Sequence, residues 1–182
     1  MNPWAAPPSL GSTGPAASAS SPPLRHDVAA GALTVAALVL LGSPVGLLWS
    51  VLAPRAEVVV YGAGKGADFV HGEPREFIGA DGSFLVLTLV VGLVVGALAW
   101  RLGRRAGPGV VVGLAAGGLL GALVAAKVGT MPGLAAFRQA VVHGPAGHLL
   151  APIRLRASAA VVAWPVGALL GFVLPGFRRR VP

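Results

Sequence analysis

The sequence predicts an all-α membrane protein with four transmembrane helices and a small β-like extracytoplasmic loop between helices one and two. Of its 182 residues 55% are hydrophobic and 11% are charged, whereas about a quarter of the residues in a soluble domain are charged. Four apolar stretches without an internal charge come near the roughly 20 helical residues that cross a bilayer core. They lack the apolar/polar alternation of barrel strands, so only helices satisfy their backbone hydrogen bonds in lipid.

The predicted helices occupy residues 28–53, 84–100, 109–126 and 157–177, within a transmembrane domain of residues 28–182. Residues 1–27 are rich in Pro, Ala and Ser and are predicted to form a flexible cytoplasmic tail. The first basic residue is Arg25 and the apolar run after it is long, so the first helix is expected to stay as an anchor rather than be cleaved as a signal peptide. Pro44 and Pro165 fall inside predicted helices and are expected to kink them.

Two longer loops are predicted on the outer side of the membrane. In residues 54–83, the β-prone runs 58–61, 68–71 and 76–78 are separated by glycine-containing segments, which predicts a small hairpin. Residues 81–83 (Asp-Gly-Ser) are expected to form a turn that caps helix two. In residues 127–156, a short amphipathic helix is predicted at Leu134–His143, followed by an extended stretch at residues 152–156.

The positions of the basic residues predict the orientation of the chain. Six of the 14 Lys and Arg residues lie in the turn 101–108 and the tail 178–182, directly against helices, while those of the opposite side are spread over long loops. Both termini are therefore expected in the cytoplasm of a plasma-membrane protein. Because the charges flank apolar segments, we expect the lipid bilayer and no nucleic acid as partner. The residues assigned to the membrane interface are Trp49, Trp100, Arg101, Arg104, Arg105, Arg178, Arg179 and Arg180.

Glycines at a spacing of four recur in every predicted helix. This GxxxG pattern lets two helix backbones approach closely. Helix three carries four such glycines, and it is predicted to form either the centre of the bundle or the seam of a homodimer. On this basis Gly117→Leu should disrupt assembly more than Gly92→Leu. The predicted packing residues are Gly42, Gly46, Gly109, Gly113, Gly117, Gly121, Gly167 and Gly171, and Gly92 and Gly96 follow the same spacing.

The sequence contains no pattern that indicates catalysis, a cofactor or a metal site. Residues 62–66 (GAGKG) lack the spacing of a phosphate-binding loop and read as a hairpin turn. The His, Asp and Glu residues of the loops match no metal-ligand spacing, and the absence of Cys removes thiolate sites. No predicted helix contains an ionisable residue, which argues against ion-coupled transport. Trp164 is expected to pack inside the bundle.

The chain resembles an actinobacterial family of small four-helix membrane proteins that carries a domain of unknown function, of the streptomycete and mycobacterial type. The similar stretches are residues 46–55, 78–84, 113–121 and 163–166. The family often has acidic residues just before its last helix, whereas residues 151–156 are here basic and apolar, which puts any role of that site in doubt. The resemblance implies the fold and the location and implies no chemistry.

Two functions remain open on sequence alone. The first is a non-enzymatic structural or interaction component of the cell envelope, whose acidic outer loop contacts a partner protein. The second is a small transport-related component, a pore subunit or transporter accessory chain, that works as an oligomer. An enzyme acting on lipid is less favoured than either, because no nucleophile or poised acid/base pair is present.

Overall fold

Four helical segments of the protein are long and apolar enough to cross a membrane: residues 25–52, 78–102, 108–143 and 158–176. The computed structural model describes residues 24–61, 65–70, 75–102, 107–145 and 147–177. The helices are α1 (Leu24–Leu52), α2 (Arg75–Leu102), α3 (Pro108–Gly129), α4 (Leu134–His143) and α5 (Ala163–Phe177). The strands are β1 (Glu57–Val60), β2 (Ala67–Phe69) and β3 (Gly147–Leu150), and a 3₁₀ helix (Ser158–Val162) leads into α5.

The outer surface of the long helices is apolar. Leu33, Leu40 and Val51 on α1 are each more than 70% exposed, which suits contact with lipid chains and not with water. The buried hydroxyl of Thr88 donates a 2.8 Å hydrogen bond to the carbonyl of Phe84, one turn earlier in its own helix. The polar group is thus satisfied within the helix, as a lipid environment requires.

The four long helices form two parallel pairs. Gly31 meets Gly109 and Gly42 meets Gly121, so α1 runs parallel to α3, and the glycine contacts of α2 with α5 advance in the same way. The closest packing is within these pairs. The pairs are joined where α3 meets α5: a methyl group at Gly118 would lie 3.0 Å from the Cα atom of Pro165. The buried core of the bundle is built around Leu38, Trp49, Phe84 and Trp164.

A folded unit, which we call the cap, lies at one end of the bundle and consists of the three-stranded sheet, α4 and residues 151–157. The sheet is antiparallel in the order β2-β1-β3, with Val58 opposite both Phe69 and Leu149. These inner-face residues pack with Ala56, Ala151 and Phe137 of α4 in a second, smaller core. The opposite end, where α1 begins and α5 ends, is called the terminal end.

The cap confirms part of the sequence prediction and extends it. The amphipathic helix was predicted at the observed bounds of α4, and β1 and β2 overlap the first two predicted β-prone runs. The third strand, β3, lies beyond α4 and was not predicted. The third β-prone run, residues 76–78, is helical and belongs to α2.

Helix two begins earlier than predicted, and residues 81–83 do not form the predicted capping turn. α2 starts at Arg75 and contains Asp81, Gly82 and Ser83. The polar side chains of this segment have helix-compatible partners: the Ser83 hydroxyl donates to the carbonyl of Ala80, three residues earlier. A turn sequence is therefore absorbed into a helix. α1 also starts earlier, at Leu24, so residues 24–27 are helical and not part of a flexible tail.

The other helix ends also differ from the prediction. α3 extends to Gly129, beyond the predicted end at residue 126. The predicted helix 157–177 opens with the 3₁₀ helix and becomes α-helical at Ala163. Pro165 consequently lies in the first turn of α5, directly after the 3₁₀ helix, where proline is better tolerated than in a helix interior. Pro44 lies inside α1, as predicted, and Pro175 lies inside α5.

Candidate functional site: helix contacts and the cap

All eight predicted packing glycines lie where one membrane helix meets another. On α3 they face α1. A methyl group at Gly113 would lie 2.7 Å from the carbonyl oxygen of Gly31, and one at Gly121 would lie 2.6 Å from that of Leu38. Gly42 and Gly46 of α1 face the backbone of Gly121 and Ala125 in return. The remaining members of the set, Gly109, Gly117, Gly167 and Gly171, also lie against a neighbouring helix.

The α2/α5 pair is closed by four glycines with reciprocal contacts. A methyl group at Gly167 would lie 2.5 Å from the carbonyl oxygen of Leu89, and one at Gly92 would collide with that of Trp164. Each glycine therefore faces the carbonyl three residues before the other. Gly96 and Gly171 repeat the arrangement one turn later, with the carbonyls of Ala168 and Leu93. The backbones approach so closely that no side chain fits between them.

The glycine face of α3 is occupied within the chain. α1 covers Gly109, Gly113, Gly117 and Gly121, and α3 packs between α1 and α5. Of the two positions predicted for helix three, the structure shows α3 at the centre of the bundle. A dimer seam along the same glycines would require α1 to move away.

Trp49, predicted at the membrane interface, is fully buried. Its indole Nε1 donates to the carbonyl of Ala80 at 3.0 Å and to the hydroxyl of Ser83 at 3.2 Å, so it connects α1 to α2. The ring also meets Phe84 edge to face, with 4.9 Å between centroids. Trp49 is a bundle residue at the cap end, and its side chain does not reach the lipid-facing surface where an interface aromatic lies.

Trp100 and Arg101 lie at the terminal end. Trp100 is half-buried and packs edge to face on Phe172 of α5, with 5.6 Å between ring centroids. Arg101 is exposed. Arg104, Arg105, Arg178, Arg179 and Arg180, the other predicted interface cations, lie outside the described residues. Trp164 is fully buried, as predicted, in the first turn of α5.

Two aspartates, Asp27 and Asp81, cap the starts of later helices through long-range contacts that were not predicted from the sequence. Both carboxylate oxygens of Asp27, in the first turn of α1, accept from the backbone N–H of Gly109 at 3.1 and 3.0 Å, at the start of α3. The carboxylate of Asp81 in α2 accepts from the N–H groups of Arg156 and Ala157 at 3.0 and 2.9 Å, before the 3₁₀ helix. Free N–H groups at a helix start are what a carboxylate caps best. These contacts join residues that lie between 75 and 82 positions apart in the chain, so local sequence rules do not reveal them.

One face of the cap sheet is open to solvent. Strand alternation and the register place Glu57, Val59, Asp68, His148 and Leu150 on the face opposite Phe137. We call this set the exposed sheet face. Nδ1 of His148 lies 3.0 Å from a carboxylate oxygen of Glu57, and both side chains are more than half exposed. A pair so exposed contributes little to stability, which leaves its charge available for contacts with other molecules.

The described part of the chain does not bring together the ligands of a metal site. No three His, Asp or Glu residues there lie close enough to hold a metal ion. His71, Glu73 and the side chain of Glu76, which the sequence analysis weighed as ligands, fall outside the described residues. Residues 62–64 of the glycine-rich turn do so as well.

A protein-family comparison matches residues 38–146 to a family described as a protein of unknown function, DUF2567. That span covers more than half of the chain. The chain belongs to this family. The match begins in the middle of α1 and extends past the end of α4, so it includes β1, β2, α2, α3 and α4 but not β3 or α5. The stretch 163–166, one of those that carried the resemblance, lies beyond the matched region. No curated protein and no solved structure matches the chain.

Proposed function

We propose that this DUF2567 protein is a non-enzymatic, multi-pass plasma-membrane component that displays the cap to a partner protein of the cell envelope. The observation that carries the proposal is the exposed sheet face. It places the carboxylate of Asp68 and the Glu57–His148 pair around the aliphatic side chains of Val59 and Leu150. An apolar centre with a polar, charged rim is the anatomy of a protein interface.

The attachment of the cap to the bundle supports this role. Asp81 of α2 binds the backbone just before the 3₁₀ helix, and Trp49 of α1 binds α2 within one turn of the same place. These contacts tie residues 156–157, at the end of the cap, to the helices of the bundle. A partner bound to a rigidly mounted face loses less entropy than one bound to a loose loop.

The proposed topology puts both termini in the cytoplasm and the cap outside. Its support is the density of Arg in the short turn 101–108 and the tail 178–182. A reporter that is active only outside the membrane should be silent when fused to the C-terminus and active when inserted between residues 61 and 65. The reverse pattern would place the cap in the cytoplasm. The Arg-rich, Lys-poor composition also fits the proposed actinobacterial origin.

Site-specific photo-cross-linking tests the partner. A benzophenone amino acid in place of Val59 should give one protein adduct of defined mass in native membranes, and Asp68→Lys in the same chain should abolish it. The matched control carries the same probe in place of Val86, which is 58% exposed on α2 outside the cap. Identical adducts at both positions, or adducts that survive Asp68→Lys, would contradict the proposal.

The second candidate is a transport-related component that works as an oligomer. The same experiment separates it from the first, because a homo-oligomer would give adducts of the chain with itself. Solute flux through liposomes that contain the purified protein would then favour transport. The glycine face of α3 is filled by α1, so an oligomer would have to use the exposed aliphatic surfaces of the helices instead.

A further inference from the structure

Two adjoining cavities on the surface of the protein form a groove that is apolar in one part and cationic in the other. The apolar part, about 330 Å³, lies between α1 and α3 and is lined by Val39, Leu120 and Val124, among others. The second part, about 450 Å³, lies between α3, α4 and residues 152–161; its lining is mainly aliphatic but includes Lys127 and Arg154, and we call it the polar part. Leu123 and Lys127 line both parts, so the two cavities meet at Lys127. We call them together the cationic groove.

Two basic side chains face the polar part without a counter-charge. Lys127, in the last turn of α3, and Arg154 both line it and are both exposed. Neither forms an ion pair or a side-chain hydrogen bond with another described residue. No acidic residue is among those that line either part. The hydroxyl of Ser158 lines the same part and offers a further donor.

The position of the groove along the membrane matches the shape of a lipid. Its apolar part lies beside the membrane-crossing length of α3, and its cationic part lies at the cap end, where α3 finishes at Gly129. A lipid has the same order, with acyl chains at the depth of the helices and a phosphate at their end. Lys and Arg at the level of the head groups attract anionic lipid, each contributing about a fivefold preference.

We propose that the cationic groove binds one anionic phospholipid, with its phosphate between Lys127 and Arg154 and an acyl chain along Leu120 and Val124. Selectivity comes from the two cations. An acyl chain gains little free energy when it moves from the bilayer into the groove, because the aliphatic side chains there are as apolar as the surrounding lipid. The apolar part orients the chain, and the head group decides which lipid is bound. This inference is independent of the proposed envelope partner, since it uses a different surface of the cap.

Native mass spectrometry of the full chain in detergent tests the inference. Phosphatidylglycerol and phosphatidylcholine with the same acyl chains are added in turn, and the lipid that stays bound is counted. The wild-type protein should retain one phosphatidylglycerol in strong preference to phosphatidylcholine. Lys127→Gln and Arg154→Gln should each lower this preference about fivefold, and Lys127→Arg should retain it.

The matched control is Arg138→Gln, which removes the same charge from exposed α4 outside the groove and should leave the preference unchanged. Inorganic phosphate at millimolar concentration should not displace the lipid, because it lacks the acyl chain. Equal retention of the two lipids, an equal loss in the Arg138→Gln control, or displacement by inorganic phosphate would each overturn the proposal. Circular dichroism of each variant, all of them at exposed positions, checks that a loss of lipid does not reflect unfolding.

Discussion

The two parallel helix pairs use the same GxxxG spacing but differ in how the glycines meet. In α2/α5 the contacts are reciprocal, and each of the four glycines faces a carbonyl of the partner helix. In α1/α3 most glycines also face a carbonyl, as Gly113 does, but Gly117 departs from this pattern: it faces the Cδ1 atom of Leu38 and the Cα atom of Val35, both 2.9 Å from an added methyl group. A side chain can move aside and a carbonyl in a helix cannot. Identical spacing in the sequence therefore hides a different tolerance to substitution.

The largest effect is expected from leucine substitutions in the two pairs. Gly92→Leu would force the side chain into the backbone of α5 at Trp164 and Ala168, and it should lower the free energy of unfolding by about 3 kcal/mol or more. Gly117→Leu meets a movable side chain as one of its nearest neighbours and should cost less, about 1 to 2 kcal/mol. This reverses the order expected from the sequence, where the longer glycine run of helix three appeared the more sensitive.

Protein yield, size-exclusion profile and thermal unfolding in detergent compare the two variants. Gly92→Leu should be the less stable and the less monodisperse. If Gly117→Leu is the more damaging, α1/α3 is the less tolerant pair and the reciprocal contacts of α2/α5 are not the tighter ones.

Alanine substitutions within α2 should change stability in opposite directions. Gly82 is exposed and has nothing within 4 Å of an added methyl group, so Gly82→Ala should stabilise the helix by about 1 kcal/mol through propensity alone. At Gly96 the same methyl group would collide with the carbonyl of Ala168, and Gly96→Ala should destabilise by about 1 to 3 kcal/mol. Thermal unfolding of the two variants measures the difference. A shared direction would show that propensity outweighs packing in α2.

The two fully buried tryptophans should differ in what their ring nitrogens contribute. Trp49 Nε1 makes two hydrogen bonds, whereas Trp164 Nε1 has no hydrogen-bond partner among the described residues. Both substitutions by Phe lose packing volume, but only Trp49→Phe also loses hydrogen bonds, so it should cost about 1 kcal/mol more than Trp164→Phe. Chemical denaturation in detergent compares them. Equal costs would mean that Trp164 Nε1 has a partner in the folded protein after all.

The four long helices were predictable because a long apolar stretch is a strong local signal in the sequence. The pairing of these helices was not predictable. A GxxxG pattern indicates that another helix packs closely, but it does not indicate which one. Gly92 and Gly42 look alike in the sequence, yet Gly92 packs against α5 and Gly42 packs against α3. The predicted helix starts were wrong for a related reason. Residues 81–83 favour a turn in isolation, yet Trp49 and residues 156–157 supply partners that keep them in α2. The open groove at Lys127 depends on α4 and residues 152–161 lying beside α3, which no spacing rule indicates.

The two capping aspartates lie one in each helix pair, and the smallest effect is expected from Asp27. Asp27 directs both oxygens to one N–H, that of Gly109, so the single carbonyl oxygen of Asn can keep the bond. Asp27→Asn should cost only a few tenths of a kcal/mol, from the lost charge at a helix start. Asp81 uses one oxygen for each of two N–H groups. Asp81→Asn would turn an amide NH₂ toward one of these donors and should cost about 1 kcal/mol.

Hydrogen exchange distinguishes the two aspartates at the amides they cap. Asp81→Asn should speed exchange at residues 156 and 157 and leave Gly109 unchanged, while Asp27→Asn should alter exchange at Gly109 only slightly. If both variants lose protection equally, the negative charge stabilises the helix starts and the number of accepting oxygens does not matter. If neither does, the helix pairs are held by their glycine contacts alone, and the carboxylates only satisfy N–H groups that water would otherwise bind.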